Sequence, residues 1–195
     1  MARHETGDVA SSPGADESMC LEACRQGDRD AFRTIVVRYQ PKLYAIALRM
    51  LGDRHEAEDV VQEALTKAYV ALHRYDPSRP FSTWLYRIAV NACVDRSRKR
   101  RREVAVPDLE PATTPIGSDR LEQAEIIRAV EHALGALPPD YRAVLVLRDI
   151  EGLSYAEIAQ ILSGSIAALK IRVVRGRAML AAVLKKLYPD LTALV

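Results

Sequence analysis

The chain predicts an all-α fold: two small helical domains joined by an extended linker. Three observations carry this. Apolar residues recur at helical spacing through residues 18–102 and 121–195. Helix start and stop signals punctuate both stretches: Asp28, Asp53 with Glu56, Ser154 with Glu157, Gly52 and Gly152. Between them, residues 103–120 lose the pattern and carry three prolines, Pro107, Pro111 and Pro115, with several acids.

Bulk properties narrow the function. With 195 residues, 49% of them hydrophobic, there is material for one domain or two small ones. Net charge is only +2, so attraction to a polyanion has to come from where the charges sit. Three cysteines, Cys20, Cys24 and Cys93, cannot all pair, and nothing resembles a secretory signal. Reduced thiols in a cytosol are expected. Cys20 and Cys24 share a helix face but lack a second Cys/His pair, so neither metal nor other cofactor is expected. No apolar run approaches the ~20 residues of a membrane span, and no membrane insertion is expected.

Residues 1–17 are polar with Gly, Ser and Pro, and read as a disordered tail. From Ser18 the pattern is helical. Asp28 is placed to cap a helix carrying Phe32, Ile35, Val36 and Tyr39, and Pro41 marks a boundary before Leu43, Ala47, Leu48 and Leu51. Asp53 and Glu56 form a capping-box pattern before a helix that buries Val60, Val61, Ala64, Leu65, Ala68 and Leu72. Its other face holds Glu56, Asp59, Gln62, Glu63 and Lys67, which by itself reads as a solvated surface. His73–Pro80 is a loop, and Ser82 is placed to cap the next helix.

That next stretch, Phe81 to Arg102, begins with aromatics and ends with six Lys or Arg among seven residues. Leu85, Ile88, Ala89, Ala92 and Cys93 form its apolar stripe. Trp84, Arg87, Asn91 and Arg98, at steps of three, four and seven, share the opposite face. Two readings fit: a surface for nucleic acid, where bases stack and phosphates are neutralised, or an amphipathic helix with a solvated charged end.

In the second domain, Ile126, Ile127, Val130, Ala133, Leu134 and Leu137 mark a helix that Pro138-Pro139 ends. Tyr141–Ile150 is strongly apolar and reads as a core helix rather than a strand, given its Pro-Pro start and its length. Ser154 and Glu157 then cap a short helix. The turn Ser163-Gly164-Ser165 leads into another whose buried stripe is Ile166, Leu169, Val173 and Leu180. This is a helix-turn-helix pattern. Ala167, Lys170, Ile171, Val174 and Arg175 project the other way. From Ile158 to Pro189 there is no Asp or Glu against six cations, the asymmetry that phosphate binding requires.

Three stretches, EDVVQEALTKAY (58–69), PFSTWLYRIAVNACVDRSRKRRR (80–102) and LPPDYRAVLVLRDIEGLSYAEIAQIL (137–162), resemble bacterial sigma factors of the extracytoplasmic-function type. The resemblance covers about residues 18–188. It implies a non-enzymatic, cytoplasmic subunit of RNA polymerase that initiates transcription of a specific, stress-type regulon. Residues 18–102 match region 2, in which Asp59, Gln62, Glu63, Leu65 and Tyr69 stand at core-polymerase positions. Tyr75, Trp84, Arg87, Asn91 and Arg98 stand where the minus-ten element is held. Residues 121–195 match region 4, with Lys170, Ile171, Val174 and Arg175 at recognition positions for the minus-thirty-five element and Arg172 and Arg177 at phosphate positions. The linker matches the segment that threads toward the polymerase active site. An anti-sigma factor is implied as a further partner. The chain departs from the family at Ala168 and Ile171, where hydroxyls are common, and at Val174, where an aromatic or His is common; this shifts weight to Lys170, Arg175 and apolar contact with thymine methyls. The rivals are a stand-alone helix-turn-helix regulator and a protein that sequesters polymerase without melting DNA.

Overall fold

The computed structural model describes residues 13–103 and 123–189, and among these every regular element is helical. The expected linker lies almost wholly outside the described residues, as does the tail up to residue 12. Helix α1 (Pro13–Arg25) begins before Ser18, where the apolar pattern starts. Proline suits a first helical turn, and the early start gives Glu17 two partners on the next helix. Its Oε2 accepts from the Tyr39 hydroxyl at 2.6 Å and from Arg38 at 3.3 Å.

Helix α2 (Arg29–Leu51) is capped by the Asp28 side chain, which accepts from the Asp30 and Ala31 amides, and ends at Gly52, whose φ of 73° suits glycine. It runs through Pro41 instead of breaking there. The bond lost at Pro41 would have gone to the carbonyl of Val37, and both residues lie on the exposed side, where water can replace it. Packing of Leu43, Ile46, Ala47 and Met50 on the opposite side holds the helix together.

Helix α3 (Arg54–Ala71) is capped by Asp53, which accepts from the Glu56 amide at 2.8 Å. Glu56 does not complete the box; its carboxylate meets Arg100 at 3.1 Å. After a 3-10 turn (Leu72–Arg74), helix α4 (Phe81–Glu103) begins one residue before the expected cap. Ser82 is therefore inside the helix, and the Pro80 carbonyl accepts the Trp84 amide at 3.4 Å. Helices α2, α3 and α4 pack on one another around Leu43, Ile46, Ala64, Leu85 and Ala89, while α1 lies across α2.

The second group is α5 (Gln123–Ala136), α6 (Pro139–Leu145), α7 (Tyr155–Leu162) and α8 (Ile166–Leu187). The apolar run after Pro139 is helical, as expected, but it widens into a π turn over Val146–Ile150. Ser154 and Glu157 form a reciprocal capping box. Ser163 takes a left-handed conformation (φ 53°), and the Ser165 hydroxyl accepts the Ala168 amide. Leu169 and Val173 are buried as expected, but Ile166, in the first turn of α8, is exposed. Gly176 is buried where α8 crosses α6: a Cβ there would stand 3.2 Å from Leu145 Cγ.

The two groups pack against each other. Arg142 of α6, only 4% exposed, donates to the Met50 carbonyl of α2 at 2.5 Å and to the Gly135 and Leu137 carbonyls of its own group. Burial, with Arg100 and Arg101 nearby, pulls its guanidinium down to about 10, so it stays charged at neutral pH. Glu151 receives Arg49 at 3.1 Å and Lys42 at 3.5 Å, both from α2. Helix α7 lies against α4.

Candidate nucleic-acid interface

The aromatic end of α4 is built from three rings. Tyr75 and Phe81 meet edge to face at 5.2 Å, and Trp84 lies tilted over both, 5.4 Å from Tyr75 and 5.5 Å from Phe81. Trp84 is half-buried, so its indole has a braced side and an accessible one. The helical periodicity then aligns exposed Arg87 and Asn91 with it. This arrangement can take an unstacked base on the indole with a cation and an amide beside it.

Tyr75 does not sit where the sequence resemblance put it. Its ring is 8% exposed beneath Trp84, and its hydroxyl donates to the Arg79 carbonyl at 2.6 Å. The Asp76 carboxylate accepts the Ser78 amide, tightening the same loop. Tyr75 shapes the loop and supports Trp84; it presents no ring face to a ligand. Packing decides this: a tyrosine between Phe81 and Trp84 gains more from burial than from display.

The basic end of α4 also differs from expectation. Arg98 is paired with Asp140 at 2.8 Å. Arg96 reaches the Glu56 carbonyl at 3.2 Å and Asp59 at 3.6 Å. Arg100 binds Glu56 and donates to the Leu51 carbonyl, and Arg101 donates to the Ala136 carbonyl. Arg100 and Arg101 thus sit at the carboxyl ends of α2 and α5, where unpaired carbonyls and the negative helix end favour them, while Arg96 and Arg98 reach the first turns of α3 and α6. Much of the cluster joins elements of the fold.

On α3, Asp59, Gln62 and Glu63 are exposed, Tyr69 is half-buried edge-on against Phe32 at 5.0 Å, and Leu65 is buried. Glu63 pairs with Lys67 along the helix. Gln62 and Leu65 line an open groove of about 760 Å³ between α2 and α3, with Val36, Pro41 and Tyr44 on its far wall. Leu65 thus serves as groove floor with Gln62 at its edge, and Asp59 and Glu63 are exposed on the same helix outside the groove.

On α8, Lys170, Ile171, Val174 and Arg175 are all exposed on one face. Lys170 stands 5.8 Å from the Tyr155 ring. Arg172 is half-buried, and Arg177 is held by Asp149 through two contacts at 2.5 and 3.0 Å. The structure separates Arg175, with no ion pair among the described residues, from Arg177, whose charge is neutralised. Asn91 and Arg98 of α4 border the same small cavity, about 250 Å³, as Arg172 of α8 and Asp140 of α6. Sequence reasoning missed Arg142; its signal was a lone cation inside the apolar run Tyr141–Leu147. Among the described residues no cluster of His, Cys, Asp or Glu could hold a metal, and no helix is long and apolar enough to cross a membrane.

Comparison with known proteins gives a consistent picture. Residues 35–103 match the family described as sigma-70 region 2, and residues 127–180 match sigma-70 region 4. The extracytoplasmic-function RNA polymerase sigma factor SigW of Bacillus subtilis is 39% identical over 170 residues, covering 80% of this chain and 90% of the relative. The sigma-E factor of Escherichia coli K12 is 33% identical over 173 residues, covering 83% and 90%. Among solved structures, CnrH in complex with the cytosolic domain of CnrY superposes with a TM-score of 0.67 at 31% identity, covering 88% of this chain and 98% of that one. The sigma factor RpoE of Bartonella quintana, in complex with the anti-sigma factor NepR, gives 0.61 at 29% identity, covering 79% and 96%.

Proposed function

The chain belongs to the extracytoplasmic-function sigma factors of the sigma-70 family, and from that membership we propose a division of labour among its surfaces in transcription initiation. Helices α1–α4 act as region 2, α5–α8 as region 4, and residues 104–122 connect them. The observation that supports this best is the pairing, in one chain, of a braced indole with aligned Arg87 and Asn91 and a recognition helix whose outer face carries cations and no acid.

Core polymerase docks on α3 through Asp59, Gln62 and Glu63, with Leu65 and Tyr69 forming the apolar base. Trp84 then receives a base of the minus-ten element. Unstacking that base costs a few kcal/mol, and stacking on the indole returns about 1–3 kcal/mol. Arg87 and Asn91 hold the opened strand. Lys170 and Arg175 enter the major groove of the minus-thirty-five element. The subunit itself makes and breaks no bond, works in the cytoplasm with polymerase, and requires no cofactor. A regulator of the kind bound by the Bartonella sigma factor, an anti-sigma factor, controls it.

The packed arrangement has a consequence for this mechanism. Elements about 25 base steps apart lie on the order of 80 Å apart at about 3.4 Å per step. Asn91 and Arg172 border a single small cavity. The two domains have to separate, and Arg98 has to leave Asp140, before both elements are engaged. A helix-turn-helix regulator acting alone would leave α3 and the Trp84 face without a role.

Transcription in vitro tests the proposal: purified core polymerase, the full chain and a promoter selected from a random library. Initiation that depends on the chain is expected. Failure to confer initiation on a core preparation active with another sigma factor refutes it.

A further inference from the structure

Helix α1 lies ahead of residues 35–103, the stretch that matches sigma-70 region 2, yet it is tied to the ring cluster beneath Trp84. Leu21 and Cys24 bury its inner face. In its second turn, Glu17 holds its carboxylate against α2, with the side chain only 20% exposed. The Tyr39 hydroxyl donates to that carboxylate at 2.6 Å, the short distance of a charge-assisted bond. From Tyr39 the contact continues through rings. Tyr39 is buried and meets Phe81 edge to face at 5.6 Å, and buried Phe81 lies 5.5 Å from Trp84.

A second connection runs through the 3-10 turn Leu72–Arg74, which α1 touches and which Tyr75 follows directly. Burial, and after it the charge of Glu17, pushes the Tyr75 hydroxyl above its ordinary value, so the carboxylate acts at Tyr75 as well as at Tyr39. Tyr75 and Phe81 are the two rings on which the indole rests. Close-packed rings pass a displacement to their neighbours, because little free space separates them. Packing alone leaves such a cluster free to slide as a unit, whereas one directional bond to a fixed carboxylate sets its position. Stacking returns most when the platform is already in place, since an indole ordered only on binding loses that ordering entropy.

Resting on the reading of Trp84 as the platform for a minus-ten base, we propose that Glu17 and Tyr39 are positioning residues for strand opening: through their hydrogen bond and Phe81, helix α1 sets the plane of the indole before DNA arrives. Neither residue touches DNA. Tyr39 is buried, and Glu17 carries the wrong charge for phosphate. Their effect is exerted through the rings that hold Trp84.

Trp84 is the chain's single tryptophan, so intrinsic fluorescence of the free full chain reads its surroundings alone. Tyr39→Phe keeps the ring and removes the donor, Glu17→Ala removes the acceptor, and Glu17→Gln keeps an acceptor oxygen. Tyr39→Phe retains the apolar packing and should fold. In the free chain, Tyr39→Phe and Glu17→Ala should shift the emission to the red and raise its quenching by acrylamide, while Glu17→Gln stays near wild type. Holoenzyme is then assembled from core polymerase and each full-length variant on a promoter selected from random DNA. At saturating holoenzyme, permanganate reactivity of the bubble should fall roughly two- to tenfold in Tyr39→Phe and Glu17→Ala, the factor set by one hydrogen bond, and Glu17→Gln should recover most of it. Trp84→Ala, run in parallel, should show a larger loss. If Tyr39→Phe and Glu17→Ala open the promoter normally while Trp84→Ala does not, the positioning role is wrong and the platform stands, whatever happens to Tm or emission; helix α1 then only stabilises the fold. If Glu17→Gln is as impaired as Glu17→Ala, the hydrogen bond to Tyr39 is not the device and the proposal is overturned. If Trp84→Ala itself opens the promoter normally, the platform reading fails and this proposal with it.

Discussion

Removing the indole at position 84 is the most direct way to test the strand-opening role. In Trp84→Ala the base platform disappears, and so does the tilted packing on Tyr75 and Phe81. The functional loss is the stacking energy, about 1–3 kcal/mol, or roughly 5- to 150-fold in the open-complex equilibrium. The structural loss is of similar size, because each aromatic contact is worth about 0.5–1.5 kcal/mol and the ring is only half-buried. Two measurements separate them. Thermal unfolding of the free chain reads the structural part. Permanganate reactivity of thymines in the promoter bubble, measured at saturating holoenzyme, reads the functional part. Core binding should change little, since the proposed docking face is on α3. Trp84→Phe keeps a smaller platform and should recover part of the bubble. Normal permanganate reactivity in Trp84→Ala, with the variant folded and bound to core, would refute the role.

Arg175→Ala should weaken protection of the upstream element by about 1–3 kcal/mol if the contact is a bidentate pairing with guanine, whereas Arg177→Ala should cost less because Asp149 already neutralises it; footprinting that ranks the two in reverse order contradicts the assignment. Gly176→Ala gains about 1 kcal/mol of helix propensity but brings a methyl to 3.2 Å from Leu145 on a rigid seam, and overpacking there costs about 1–3 kcal/mol. A net fall in Tm is expected, and a rise would show that the seam relaxes. Glu151→Gln should loosen the contact between domains; a double-mutant cycle with Arg49→Met should return a coupling of about 1–3 kcal/mol, and a value near zero would mean the pair is solvent-screened.

Most of the helical framework was legible because its signals are local. Asp28, Gly52, Ser154 with Glu157, and Ser165 act within one turn, and each does in the structure what its chemistry allows. Pro41 misled because its cost depends on whether the carbonyl it orphans faces water, which periodicity in one helix does not show. Ser82 misled because a capping residue and a first-turn residue look alike when proline precedes. Tyr75 depends on how the loop after α3 folds onto Phe81 and Trp84, and the arginines after Arg96 depend on neighbours far along the chain. Whether a tyrosine is displayed or buried, or an arginine free or paired with Asp140, is decided by contacts more than 40 residues away for Arg98 and Arg100. The outward face of α8 was readable because it is defined by what it does not touch.

The basic stretch at the end of α4 illustrates why charge clusters need this separation. Arg100 and Arg101 bind last-turn carbonyls of α2 and α5, and removing either leaves an unsatisfied acceptor as well as a missing charge. Arg98 is different: its partner is an exposed carboxylate on the other domain, a contact worth little in water and reversible. Arg142 completes the division, since its buried guanidinium bonds carbonyls of both domains at once and one of those bonds is lost when they part. Among the polar contacts between the domains, those of Arg142 and Glu151 are the most buried, and they lie away from the Trp84 face. Parting the domains opens the cavity that Asn91 and Arg98 border beneath α7 and α8 and frees Arg98 from Asp140. Helix α4 packs on α3 and on α7 alike, so it adjoins both the proposed docking helix and the other domain.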